Sequence, residues 1–143
     1  KYEPGNLNVP AVLGLGEGIA YLEQLGLGHV QQHAQTLTTR LRDALAAIDG
    51  VRVYAPRDVR HQVGVVSIGV AGADPRVVAA MLETTHRIQV RAGIQCAPRM
   101  HQALGTIHQG GTVRFSTSVF TTTDDVDAAI EALSAIAHSH TQA

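Results

Sequence analysis

The chain has 143 residues, 45% of them apolar but only 3% aromatic, with no Trp and a formal net charge of −1. That length suits one domain burying roughly 70% of the surface its unfolded chain exposes; the core must be aliphatic, and the near-neutral charge leaves no footprint for nucleic acid or an anionic membrane. One cysteine excludes an internal disulfide framework and suits a reducing, cytoplasmic setting, no apolar run reaches bilayer length, and no signal peptide is expected before the fold.

Gly5 to Pro10 reads as an extended loop, and Pro10 suits the first turn of a helix running to about Leu25. Gly14, Gly16 and Gly18 lie inside that helix. Each costs about 1 kcal/mol against Ala, which is expected only where the helix packs closely on another backbone. The spacing is G-x-G-x-G with no strand before it, so it is not a dinucleotide fingerprint. Gly26 and Gly28 break the helix. A second helix follows from about His29 to Asp49, on the stripe Val30, Ala34, Leu37, Leu41, Ala44, Leu45 and Ile48, with Gly50 as a left-handed cap.

Val51–Tyr54 alternates as a short strand, and a polar connection runs from Arg57 to His61. Val63 to Val70 is the strongest strand signal, rich in β-branched residues. Asp74 and Pro75 open a third helix that ends near Thr85. Ile88–Arg91 is the next expected strand, then a glycine-containing turn with Cys96, a short helix from Pro98 to Leu104, and a loop to Gly111. Thr112–Thr117 is a strand with Arg114 and Ser116 on its polar face. Thr122 and Asp125 form a capping box for a last helix on Val126, Ala129, Ile130, Leu133 and Ile136, and His138 to Ala143 reads as a frayed tail. The order implies an α+β fold: a small, largely antiparallel sheet with helices packed on one face.

Three residues attract chemistry. Cys96 has Arg91, Arg99 and His101 close in sequence, a setting that would favour a thiolate; the alternative is an inert, small buried thiol. Arg114, on a polar strand face, is either a carboxylate fork or half of a surface ion pair. Arg91 shares the same choice. Among the eight histidines, His29 and His33 stand four apart, but no H-E-x-x-H or paired cysteine accompanies them, so no metal site is expected.

At these residues the sequence resembles a known family. Arg91-Ala92-Gly93-Ile94-Gln95-Cys96-Ala97-Pro98, then Gly111 to Ser116 and Phe120 to Asp127, looks like the C-terminal part of cysteine desulfurase-like (NifS-like) enzymes of the class V aminotransferase group. Tyr2 to Pro10 is similar to the segment that leads from the large domain of these enzymes into the small one. The resemblance covers nearly the whole chain and implies the C-terminal domain of a fold-type I pyridoxal-phosphate enzyme. Residues 1–27 would be an interdomain segment and linker helix, residues 28–143 the small α+β domain, and the large cofactor-binding domain would be absent.

The resemblance also implies roles. Cys96 would attack the sulfur of L-cysteine or a similar amino acid and carry a persulfide for a sulfur-acceptor protein. Arg114 would bind the substrate carboxylate, and Arg91 would line the same substrate site. Gly5 and Asn6 would approach the phosphate of pyridoxal 5′-phosphate across a homodimer. The lysine that holds the cofactor would belong to the large domain, in keeping with a chain whose single lysine is Lys1 and which does not start with Met. Two positions depart from the family pattern: Asn6 stands where Thr is frequent, and Gln95 where His is frequent. Gln does not titrate, so an acid–base role there is lost. The same small domain serves aminotransferases and epimerases, which would use Arg114 without Cys96. A non-catalytic interaction domain, the third reading, would pair both arginines with acidic neighbours.

Overall fold

Alternation along Val65–Val70 builds one of the two inner strands of a four-stranded antiparallel sheet. The computed structural model describes residues 5–56 and 58–141, the Thr141 side chain excepted. Lys1 to Pro4, with the beginning of the first family-like segment, lie outside the described residues, as do Arg57, Gln142 and Ala143. The chain divides into two units, up to His33 and from Ala34 onward.

In the first unit, α1 spans Val9–Leu25, and Asn8 caps it by accepting from the Ala11 N–H at 3.2 Å. None of its residues is buried: Val12, Leu13, Leu15 and Ile19 are each at least half exposed. Nothing lies within 4 Å of a Cβ placed on Gly14, Gly16 or Gly18. The close packing expected from these glycines is therefore not provided by the described residues. Gly26, at φ 83°, makes the break alone, and Gly28 falls inside α2, Leu27–Ala46.

In the second unit, α2 ends earlier than its apolar stripe. Its last turn tightens through bonds from Ala47 to Ala44 and from Ile48 to Leu45, and Gly50 reaches the left-handed region four residues later. The strands are β1 (Val51–Tyr54), β2 (Val65–Val70), β3 (Arg91–Gly93) and β4 (Thr112–Ser116), in the order β1-β2-β4-β3. The helices are α3 (Pro75–His86), α4 (Pro98–Leu104) and α5 (Thr123–Thr141). Short 3₁₀ turns occupy Val59–His61 and Ile107–Gln109, where open connections were expected.

The period of two sorts the sheet into faces. Val66, Ile68, Val70, Val113 and Phe115 point into one core with Leu37, Leu41 and Leu45 of α2, Val78 and Leu82 of α3, and Val126, Leu133 and Ile136 of α5. Fully burying a Leu, Ile or Val contributes roughly 1.5–3 kcal/mol. Arg52, Tyr54, Ser67, Arg91, Arg114 and Ser116 take the other face, and none of them is buried.

Two boundaries differ from expectation for identifiable reasons. β3 begins at Arg91 rather than Ile88. Arg87 caps α3 in the left-handed region, and the Ile88 N–H bonds back to the Leu82 carbonyl at 3.0 Å. Ile88 and Val90 then pack against the core instead of joining the ladder. The C-terminal stretch is helical to Thr141. His138 and His140 each donate a ring N–H to the carbonyl four residues back, at 2.6 and 3.1 Å.

Candidate functional site

Register brings the two arginines together. Arg91 of β3 lies directly opposite Arg114 of β4, Arg114 lies opposite Ser67 of β2, and Ser67 opposite Tyr54 of β1. Opposed residues of an antiparallel ladder share a face. A row Tyr54–Ser67–Arg114–Arg91 therefore crosses the sheet on the side away from the core. Among the described residues neither guanidinium is in an ion pair, and the half-buried Arg114 has its Nε buried without a hydrogen-bond partner. The ion pair that the surface alternative requires is thus not present among the described residues.

Beside them lies a cavity of about 400 Å³ lined by Glu83, Gln89, Val90, Arg91, Arg114 and Ser116. It opens because β3 starts late, leaving Gln89 and Val90 unpaired with β4. Gln89 donates to Glu83 at 3.4 Å. A larger cavity of about 760 Å³ is lined by Arg52, Tyr54, Asp74, Arg76 and His108 among others, and includes neither arginine of the pair nor Cys96.

Cys96 is exposed, in the turn that follows β3. It is not the buried thiol of the inert alternative. Gln95 and Cys96 both have positive φ, at 53° and 62°. The Gln95 side-chain amide donates to the carbonyls of Arg91 and Thr112, at 3.2 and 3.1 Å. Beneath the turn, Gly93 and Gly111 bring their backbones together at φ 99° and 100°, and a Cβ on Gly111 would overlap the Gly93 carbonyl. His101, a neighbour of Cys96 in sequence, is buried and hydrogen-bonded through Nδ1 to the Thr106 hydroxyl at 2.7 Å. It anchors α4 to the turn at Thr106. Sequence reading missed the two hydrogen bonds of the Gln95 amide; the glycines at 93 and 111 were the available signal that two backbones meet here.

Gly5 and Asn6 are exposed, and nothing lies within 4 Å of a Cβ placed on Gly5. Among the described residues no group of three or more His, Cys, Asp or Glu is placed to hold a metal ion, and no helix is long and apolar enough to cross a membrane.

This chain has clear relatives. A sequence profile described as aminotransferase class-V matches residues 1–129. A probable cysteine desulfurase of Methanothermobacter thermautotrophicus is 34% identical over 137 residues, covering 96% of this chain and 34% of that protein. One from Staphylococcus epidermidis is 35% identical over 133 residues, 93% of this chain and 31% of its own length. Among solved structures, the apo cysteine desulfurase of Thermococcus onnurineus NA1 superposes with a TM-score of 0.86 at 32% identity, over 96% of this chain and 33% of the other. Escherichia coli CsdA, in its S-sulfonic acid form, gives 0.81 at 27% identity over 96% and 32%. The chain spans about a third of the length of these relatives.

Proposed function

The chain belongs to the aminotransferase class-V family, and from that premise we propose that it is the small C-terminal domain of a pyridoxal-phosphate-dependent cysteine desulfurase-like enzyme. Residues 1–27 are its interdomain segment and linker helix and 28–143 its α+β domain; the cofactor-binding large domain lies outside this chain. The observation that carries the reading is the directly opposed pair Arg91 and Arg114, without an ion-pair partner among the described residues, with the exposed Cys96 in the turn that follows the strand of Arg91.

Two cations facing each other across a ladder are unfavourable unless an anion joins them. A substrate carboxylate meets that need, and the guanidinium fork suits it geometrically. Pyridoxal phosphate, when bound, supplies the electron sink for breaking the bond between carbon and sulfur. On this chain Gly5 and Asn6 would approach its phosphate: an unhindered glycine and an amide able to donate one bond to a phosphate oxygen. That donor set fits one contact and not a whole binding site, and the only lysine is Lys1. The cofactor-anchoring lysine therefore comes from outside this chain, and the 143 residues alone are inactive.

Arg91 and Arg114 hold the carboxylate of L-cysteine. The Cys96 thiolate attacks the substrate sulfur, and a sulfur–sulfur bond forms as the carbon–sulfur bond breaks. The electron pair stays with the carbon fragment, which takes up a proton and leaves as alanine. Cys96 keeps the sulfur as a persulfide, and its exposure leaves it open to a sulfur-acceptor protein. The working enzyme is a cytoplasmic homodimer, with Gly5 and Asn6 serving the partner's cofactor. The test uses the full-length protein and its Cys96→Ala variant with L-cysteine. Persulfide and alanine production should fall by about 100-fold or more, as loss of a nucleophile predicts. Undiminished sulfur transfer by the variant would remove Cys96 as the nucleophile, whereas a full-length protein that releases no sulfur from L-cysteine even with Cys96 intact would favour an aminotransferase or epimerase that uses the arginines alone.

A further inference from the structure

Two consecutive side-chain-bearing residues, Gln95 and Cys96, sit in the left-handed region. A side chain there crowds its own backbone, and such a residue persists only where its surroundings fix it. The fixing bonds are those of the Gln95 amide. A primary amide carries two N–H donors, and both are used, on the carbonyls of Arg91 and Thr112. Reversing the amide would aim its oxygen at two carbonyl oxygens, so its orientation is set by the network. The Ala97 N–H closes the same turn onto the Ile94 carbonyl at 3.0 Å.

We infer that Gln95 is a positioning residue: its amide pins the turn bearing Cys96 to both β3 and β4, and so fixes the thiol relative to the arginine pair. The inference rests on the reading of Cys96 as the attacking thiol. One side chain ties three parts of the site together. It bonds to the backbone of Arg91 itself and to Thr112, two residues before Arg114, and Cys96 follows it directly in the chain. A neutral imidazole at this position would have one N–H to give; the amide has two and does not titrate. An attacking atom must approach its target within a few tenths of an ångström, and a displacement of about 1 Å lowers the rate about 100-fold. Carboxylate binding depends on the strands and not on the turn. Loss of the amide should therefore appear in kcat and not in KM.

The experiment measures kcat and KM for L-cysteine in the full-length enzyme carrying Gln95→Ala or Gln95→Glu, with amide hydrogen exchange over residues 93–97. Glutamate keeps the shape of glutamine but, ionised, donates nothing. Both variants should lower kcat by about 10- to 100-fold while KM changes less than about threefold, and exchange in the turn should quicken at an unchanged thermal midpoint. Gln95→Glu with wild-type kcat and slow exchange would show that shape alone suffices and would overturn the inference. So would kcat, KM and thermal midpoint failing together, as for a general folding defect. Exchange is also measured with Cys96→Ser. Full turnover by Cys96→Ser would sink the role of the thiol, whereas unchanged exchange on adding Gln95→Ala to that background would sink the pinning itself.

Discussion

Two guanidinium groups placed opposite each other on neighbouring strands repel, and directly opposed like charges destabilise a sheet by up to about 1 kcal/mol. Arg91 and Arg114 accept that penalty without an ion pair among the described residues, and the carboxylate that lines their cavity, Glu83, accepts from Gln89 instead. Stability and binding should therefore respond to mutation in opposite directions. Arg91→Gln should leave the thermal midpoint at low salt equal to or slightly above wild type. It should also weaken the stabilisation that an added amino-acid carboxylate such as alanine gives the full-length enzyme by mass action. Arg114→Lys keeps the charge but loses the fork and the buried Nε. It should raise KM for L-cysteine by roughly 10- to 100-fold, the range for a lost charge-assisted hydrogen bond. Thermal melts with and without alanine, and steady-state kinetics, check both. Alternation alone made it legible that each arginine lies on a polar strand face. That they face each other was not legible, because pairing register depends on where β3 begins, and the α3 cap at Arg87 sets that point.

Local patterns dictated the elements most firmly where they coincide with burial. β2 alternates and is buried at every second residue, and α5 places Val126, Ala129, Leu133 and Ile136 in the core on its helical stripe. Readings failed where a hydrogen bond outside the pattern wins. The bond from Ile88 to Leu82 shortens β3, and α5 runs on to Thr141 through a stretch that composition alone reads as frayed, with the His138 and His140 rings folded back onto carbonyls of its preceding turn. The capping box at the start of α5 was legible and is present. The Thr122 N–H and hydroxyl both donate to the Asp125 carboxylate at 2.8 Å, and the Asp125 N–H returns a bond to the hydroxyl at 3.1 Å. The backbone bond, then the hydroxyl bond, holds the Asp125 carboxyl below its ordinary value. A carboxyl whose folded pKa lies below its unfolded one stabilises the fold above the unfolded value of about 3.9, and that contribution fades as pH falls through the folded value. Asp125→Asn should therefore melt below wild type at neutral pH, and the gap should close as the pH is taken below about 3.9. Thermal midpoints followed by circular dichroism across that range decide it; a gap independent of pH would mean the charge is irrelevant.

At the scale of the whole molecule, the two units carry different kinds of information. The unit from Ala34 onward has a closed aliphatic core and accounts for its own sequence. The unit up to His33 does not: α1 exposes Val12, Leu13, Leu15 and Ile19 and carries three glycines with open space where each Cβ would be. Glycine in an exposed helix interior costs about 1 kcal/mol against alanine, and an apolar helix face gains nothing from water. Both features make sense for a helix covered by another part of the protein, in keeping with a chain that spans about a third of its relatives. The two situations predict opposite signs for one mutation. In the 143-residue chain by itself, Gly16→Ala meets nothing, so it should make α1 more helical by about 1 kcal/mol, read as slower amide exchange between Leu13 and Ile19. In the full-length enzyme the added methyl would press into a close backbone contact, at a typical overpacking cost of about 1–3 kcal/mol, and the thermal midpoint should fall. A rise in both settings would show that the glycines are not packing residues, and the cover for α1 would have to be argued from its apolar face alone.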